Sequence, residues 1–190
     1  EQRIASDFFA GNPFKAIPAM VISACMNTNP VMIYFGQELG EKGMDEEGFS
    51  GRDGRTTIFD YWTVDTIRRW RSGGKFDGKM LTKEEKKLQG FYSTLLNLCN
   101  KEKAIREGVF FDLTYANLEG IVFNEHRQYA FFRKAGKELL FIIVNFDEKP
   151  AAPCVKIPTH AFDYLGIPYK ESYKAKDLLT GNTETLVMAP

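Results

Sequence analysis

Between Pro30 and Gly36 the chain runs Val31-Met32-Ile33-Tyr34-Phe35, five apolar residues without a polar interruption. The run is rich in residues that favour extended backbone, and its lack of alternation predicts a strand buried on both faces. That is the usual state of a parallel strand flanked by helices. Full burial of such side chains is worth about 1.5–3 kcal/mol each, roughly 10 kcal/mol for the run. A typical domain has only ~5–15 kcal/mol of net stability. Gln37 and Glu38 follow at the C-terminal end of the run, where open α/β sheets and α/β barrels place their chemistry.

The totals set bounds on the rest. At 190 residues the chain suits one large domain or two small ones. Its 25 basic and 25 acidic residues cancel, so charge offers no argument for nucleic acid or for an anionic membrane surface. No apolar run approaches the ~20 residues needed to span a bilayer. Cys25, Cys99 and Cys154 are odd in number and far apart, with neither metal-ligand spacing nor a disulfide framework, and are expected as buried, reduced thiols. The chain opens on Glu1 without a Met or a signal-like segment, so either its start has been removed or it is a piece of something longer. Localisation is left open for the same reason.

Read in order, Asn12-Pro13 starts a helix whose apolar positions are Ala16, Ile17, Met20, Val21, Ala24 and Cys25, with a kink expected at Pro18. From Gly36 to Gly54 glycine and acid dominate, predicting a long excursion of the kind that serves as a lid or binding loop. A short helix then runs to about Trp70, and Ser72-Gly73-Gly74 breaks it. Thr82 and Glu85 form a capping box, and the helix over 83–103 aligns Leu88, Phe91, Tyr92, Leu95, Leu96 and Cys99. Gly90 within it costs about 1 kcal/mol relative to Ala, which predicts a close backbone approach there. The period then switches. Strands are expected at 109–115, 120–123, 128–133, 139–146, 151–157, 171–175 and 185–188, with turns at Ala135-Gly136 and Thr180-Gly181-Asn182 and a helical turn around 161–165. Seven short strands joined by turns predict an antiparallel β-sandwich from about residue 106.

Residues 1–105 contain a single parallel-type strand, and its backbone groups need neighbours on both sides. None of the later strands has βαβ spacing. The pattern therefore reads as the last units of a repeating β/α structure, of which eight close into a barrel. An unpaired edge of this kind also invites self-association.

The stretches EQRIASDFFAGNPFKA, PVMIYFGQELG, GRDGRTTIFDYW, LLFIIVNF and KDLLTGN resemble the C-terminal portion of the α-amylase family of glycoside hydrolases, in order and spacing across most of the chain. The resemblance implies that residues 1–105 are the end of a (β/α)8 barrel. Val31–Phe35 would be its eighth strand and 83–103 its eighth helix, with residues 106–190 the β-sandwich that follows. It implies retaining hydrolysis or transfer at α-glucosidic bonds, which needs two carboxyl groups only ~5–5.5 Å apart. By the same likeness the three catalytic carboxylates precede Glu1, so no residue of this chain inherits a catalytic role. The partners implied are an α-glucan or malto-oligosaccharide and the N-terminal part of the barrel, with no nucleic acid, membrane, cofactor or metal.

Four residues are candidate substrate contacts: Arg3, Gln37, Glu38 and Tyr61. Arg3 would face the substrate or brace the carboxylates, and a surface salt bridge is an equal alternative. Gln37 and Glu38 match the family's Gly-Gln-Glu at the barrel rim, a supporting position that performs no proton transfer. Tyr61, with Trp62, could stack on a sugar ring or simply pack. Asp45, Glu46, Glu47 and Asp53 resemble a calcium site only in charge and read as solvated. His126 and His160 read as ordinary surface or packing residues. The competing class is a binding or structural module in which the sandwich contacts glucan and the preceding helices are scaffold.

Overall fold

The computed structural model describes residues 3–5, 9–43, 64–118 and 122–188. The chain divides into two compact units, residues 1–20 with 30–94 and residues 21–29 with 95–190. The boundaries fall inside helices α1 (Ile17–Cys25) and α3 (Lys83–Lys101), not after the long helix where composition suggested.

In the first unit, Asn12 caps the chain entry by accepting the Phe14 N–H at 3.0 Å. Pro13–Ala16 wind as a 3-10 turn that passes into α1 at Ile17. Pro18 is tolerated because the first turn of a helix leaves its N–H groups without helical partners. Helix α2 (Asp65–Arg71) ends at Ser72, which takes a left-handed φ of 49°. The capping box of α3 is complete: Glu85 N–H donates to Thr82 Oγ1 at 3.1 Å, and Thr82 N–H donates to Glu85 Oε2 at 2.8 Å. Arg69 of α2 joins it, with Nη2 at 2.6 Å and Nε at 2.9 Å from Glu85 Oε1. Burial pushes the Glu85 carboxyl up, but the bonds from Arg69 and Thr82 and the Arg69 charge outweigh it and hold the group below the usual carboxylate range. Along α3 the stripe buries Leu88, Tyr92 and Leu95, as its spacing predicted. Gly90 departs from expectation: it is exposed, and a Cβ there would meet nothing within 4 Å among the described residues.

The run 31–35 is a correction. It forms no ladder among the described residues, and its burial alternates. Met32 is 82% and Tyr34 43% exposed, while Phe35 packs on Leu39, Val64, Ile67 and Leu81. Alternation of this kind is the period of extended backbone. Among the described residues no strand lies on either side to cover the outer residues, so the double burial expected from composition is not present there.

The second unit holds β1 (Val109–Asp112), β2 (Gln128–Ala135) and β3 (Glu138–Asn145) in one antiparallel sheet, ordered β1-β2-β3. Strands β4 (Ser172–Lys176) and β5 (Thr183–Val187) form a separate hairpin. Both predicted turns are present, Gly136 and Gly181 taking φ of 56° and 84°. Among the described residues five strands stand where seven were expected. Residues 151–158 carry no ladder, because Pro150, Pro153 and Pro158 interrupt them and Lys156 spends its backbone groups on a side chain. Residues 120 and 121 of the expected strand 120–123 lie outside the described residues, and Val122 and Phe123 are not in a strand.

The sheet is covered on both faces. Phe111, Phe132 and Phe141 stand opposite one another across β1, β2 and β3. They face a core of Leu113, Phe123, Ala130 and Leu165, the last from helix α5 (Thr159–Leu165). On the other face Arg133, only 2% exposed, sends its guanidinium to three carbonyls: Met26 at 2.8 Å, Ile105 at 2.8 Å and Ala104 at 3.1 Å. These lie just past α1 and within α4 (Lys103–Glu107), near helix ends that carry the negative end of the dipole; the Ala104 carbonyl also accepts the Gly108 N–H at 3.1 Å. Glu138 caps the other end of α4, accepting the Ala104 N–H at 2.7 Å and the Lys103 N–H at 3.3 Å. Of the thiols only Cys25 is buried; Cys99 is half-buried and Cys154 exposed, which corrects the expectation for the last. Among the described residues no helix is long and apolar enough to cross a membrane, and no three His, Cys, Asp or Glu gather around a metal position.

Candidate functional site

The polar end of the 31–35 run is held by two left-handed glycines. Gly36 (φ 76°) and Gly40 (φ 75°) bracket a single 3-10 turn, Gln37–Leu39. Inside it Gln37 N–H donates to Tyr34 O at 2.9 Å, and Glu41 N–H donates to Gly36 O at 3.0 Å. A Cβ on Gly36 would fall 2.9 Å from Glu41 Cβ, and one on Gly40 2.9 Å from Pro13 Cγ. Any larger residue is strained at both positions by its backbone and by its neighbours.

This turn brings three of the four predicted residues into one region. Arg3 is buried, its Nη1 donating to the Phe35 carbonyl and its guanidinium lying 4.3 Å from the centroid of the Tyr34 ring. Burial pulls the Arg3 pKa below its ordinary value, against the charges of Glu41, Tyr34 and Glu38. That burial takes Arg3 away from the surface position weighed for it from sequence. Gln37 is occupied on the protein side: Nε2 lies 3.1 Å from both Met20 Sδ and Tyr92 Oη, and Oε1 accepts the Tyr34 N–H at 3.3 Å. Burial, with the Glu38 charge adding, pushes the Tyr92 hydroxyl up against the Gln37 hydrogen bond. Glu38 is half-buried, acts electrostatically on both Arg3 and Tyr92, and has no hydrogen bond among the described residues. Tyr61 lies outside the described residues, as do Trp62 and the acidic positions 45–47 and 53.

Sequence reasoning missed Glu41. Its side chain is 1% exposed, with Oε2 accepting from Thr66 Oγ1 on α2 and Oε1 accepting the Gly43 N–H at 2.8 Å. Both carboxylate oxygens of this buried group therefore have hydrogen-bond donors. The arrangement is a braced cation with one free carboxylate, Glu38, and an accessible aromatic face, Tyr34. It can orient a hydroxylated ligand.

No protein-family model, curated protein or solved structure matches the chain.

Proposed function

We propose that this chain is the C-terminal part of a retaining, α-glucan-acting glycoside hydrolase, hydrolysing starch or malto-oligosaccharides. On this reading Val31–Phe35 is a barrel strand, α3 the last barrel helix and the later sheets the appended β-domain. The observation that carries it is the pairing of two features at one run: Met32 and Tyr34 stand exposed, with no strand beside them among the described residues, and a buried Arg3 is fixed at the C-terminal end. Barrels assemble their active sites at that end of their strands.

The residues then have separate roles. Arg3 is a positioning residue whose charge braces carboxylates contributed by the rest of the barrel. Gln37 locks the rim turn to Tyr92, and Glu38 accepts hydrogen bonds from sugar hydroxyls. The nucleophile and the acid/base residue come from the preceding barrel strands, at the ~5–5.5 Å separation that retention requires.

The test is hydrolysis of maltoheptaose by the full-length protein, with the anomeric form of the first product read by proton NMR. Release of the α-anomer is expected, with no reducing sugar released by the present chain alone. Arg3→Ala is expected to lower kcat/KM by about a hundredfold, the scale of losing an orienting second contact. No hydrolysis of any α-glucan by the full-length protein, or a β-anomeric product, would refute the reading.

A further inference from the structure

Phe111 on β1, Tyr115 in the turn after it, and His160 and Tyr164 on α5 form one aromatic cluster in the second unit. Phe111 is the floor, its ring centroid 5.6 Å from that of His160, 5.7 Å from Tyr164 and 6.4 Å from Tyr115. The other three stand in solvent, Tyr115 at 48% and Tyr164 at 62% exposure. Tyr115 Oη and His160 Nε2 share a hydrogen bond of 2.8 Å, which fixes both rings. His160 and Tyr164 are four apart in sequence, so they share one face of α5.

The cluster is held from beneath. Asn117, 5% exposed, donates from Nδ2 to Leu113 O at 2.6 Å and to Lys156 O at 2.9 Å. Its Oδ1 accepts the Lys156 N–H at 2.6 Å. One buried amide thus clamps the turn that carries Tyr115 to the segment that leads into α5. Leu113 and Leu165, on the same two elements, meet in the core. Rings fixed in this way lose little freedom when a ligand arrives. Two polar atoms remain at the rim: His160 Nδ1 and the Tyr164 hydroxyl have no partner among the described residues.

We propose that Tyr115, His160 and Tyr164, floored by Phe111, form a binding platform for the pyranose rings of an α-glucan. A pyranose offers a face of C–H bonds that lies flat on an aromatic ring, and a girdle of hydroxyls at its edge. The exposed rings take the first, and His160 Nδ1 and the Tyr164 hydroxyl take the second. The choice of an α-glucan rests on the reading given above; the platform itself rests on the ring geometry and the Asn117 clamp.

The test measures adsorption of the full-length protein to granular starch, beside kcat/KM on a short chromogenic maltotrioside. Tyr164→Ala and His160→Ala are expected to weaken adsorption about tenfold, the scale of losing one aromatic contact. Tyr164→Phe keeps most of it. Tyr169→Ala, an exposed tyrosine that pairs with Phe162 outside the cluster, leaves it unchanged. Turnover of the maltotrioside stays at the wild-type value in all four. Wild-type adsorption by Tyr164→Ala and His160→Ala, or an equal fall in maltotrioside turnover, overturns the platform. Hydrolysis without adsorption sinks the platform alone, whereas Tyr164-dependent adsorption without any hydrolysis sustains it and sinks the hydrolase reading.

Discussion

Replacing Arg133 with Met removes a fork of three hydrogen bonds at 2.8–3.1 Å, two of them buried and the one to Met26 part-buried. Each hydrogen bond to a charged donor contributes about 1.5–3 kcal/mol, so even the lower figure gives roughly 4.5 kcal/mol for the set. Methionine returns about 1.5 kcal/mol through its buried apolar surface, leaving a net loss near 3 kcal/mol. With a urea m-value of about 2 kcal/mol per molar, the unfolding midpoint should fall by roughly 1.5 M. Urea unfolding followed by circular dichroism reads this directly, and the slope should not change. Arg133→Lys keeps a charge but not the planar fork, so about half the loss is expected. A midpoint for Arg133→Met within about 0.3 M of wild type would mean that the carbonyls find other partners, and the argument for Arg133 as the tie between α1, α4 and β2 would fail.

Three further outcomes follow from local geometry. Glu85→Gln should cost about 1.5 kcal/mol at neutral pH, discounted for the partial exposure of Arg69. Because the folded-state pKa of Glu85 is lowered, that contribution is present above the unfolded value of about 4.3 and is lost as pH falls through the folded value. The stability gap between wild type and variant should therefore close in acid, and a gap that widens below ~pH 4 would contradict the assignment. Gly90→Ala should stabilise the present chain by about 0.5–1 kcal/mol in thermal unfolding, since it fills open space on a helix; a loss would reveal a neighbour at that face. Thiol titration with a chromogenic disulfide should modify Cys154 first and Cys25 last. The Cys25 thiol is pushed up by its hydrogen bond with Cys99 and by burial, so rapid reaction of Cys25 would contradict its placement.

What was legible in the sequence was local chemistry. Asn12-Pro13 and the Thr82–Glu85 box act within three residues of themselves, and both form as their spacing predicts. The turns at Gly136 and Gly181 need left-handed backbone, which glycine supplies. Long-range partnerships leave no such trace. Asn117 reaches Lys156 and Arg133 reaches Met26, across 39 and 107 residues, so neither the missing strand at 151–157 nor the fork at Arg133 could be read from periodicity. The Val31–Phe35 run shows the opposite limit. Its composition correctly described side chains that favour burial, but double burial also needs sheet neighbours, and among the described residues no strand stands beside the run. In the candidate site, Gln37 and Glu38 were visible through their place at the end of the run, and Arg3 only through the family resemblance of the opening stretch. Glu41 was hidden in a glycine- and acid-rich stretch with no period, and the aromatic cluster was hidden because its members come from separate elements.

Amide hydrogen exchange at residues 31–35, measured by mass spectrometry on both the full-length protein and the present chain alone, is the most direct check on the proposed barrel strand. The account predicts slow exchange in the full-length protein, limited by opening of the barrel, and fast exchange in the isolated chain. Fast exchange in both would contradict it, because the run would then have no sheet partner anywhere.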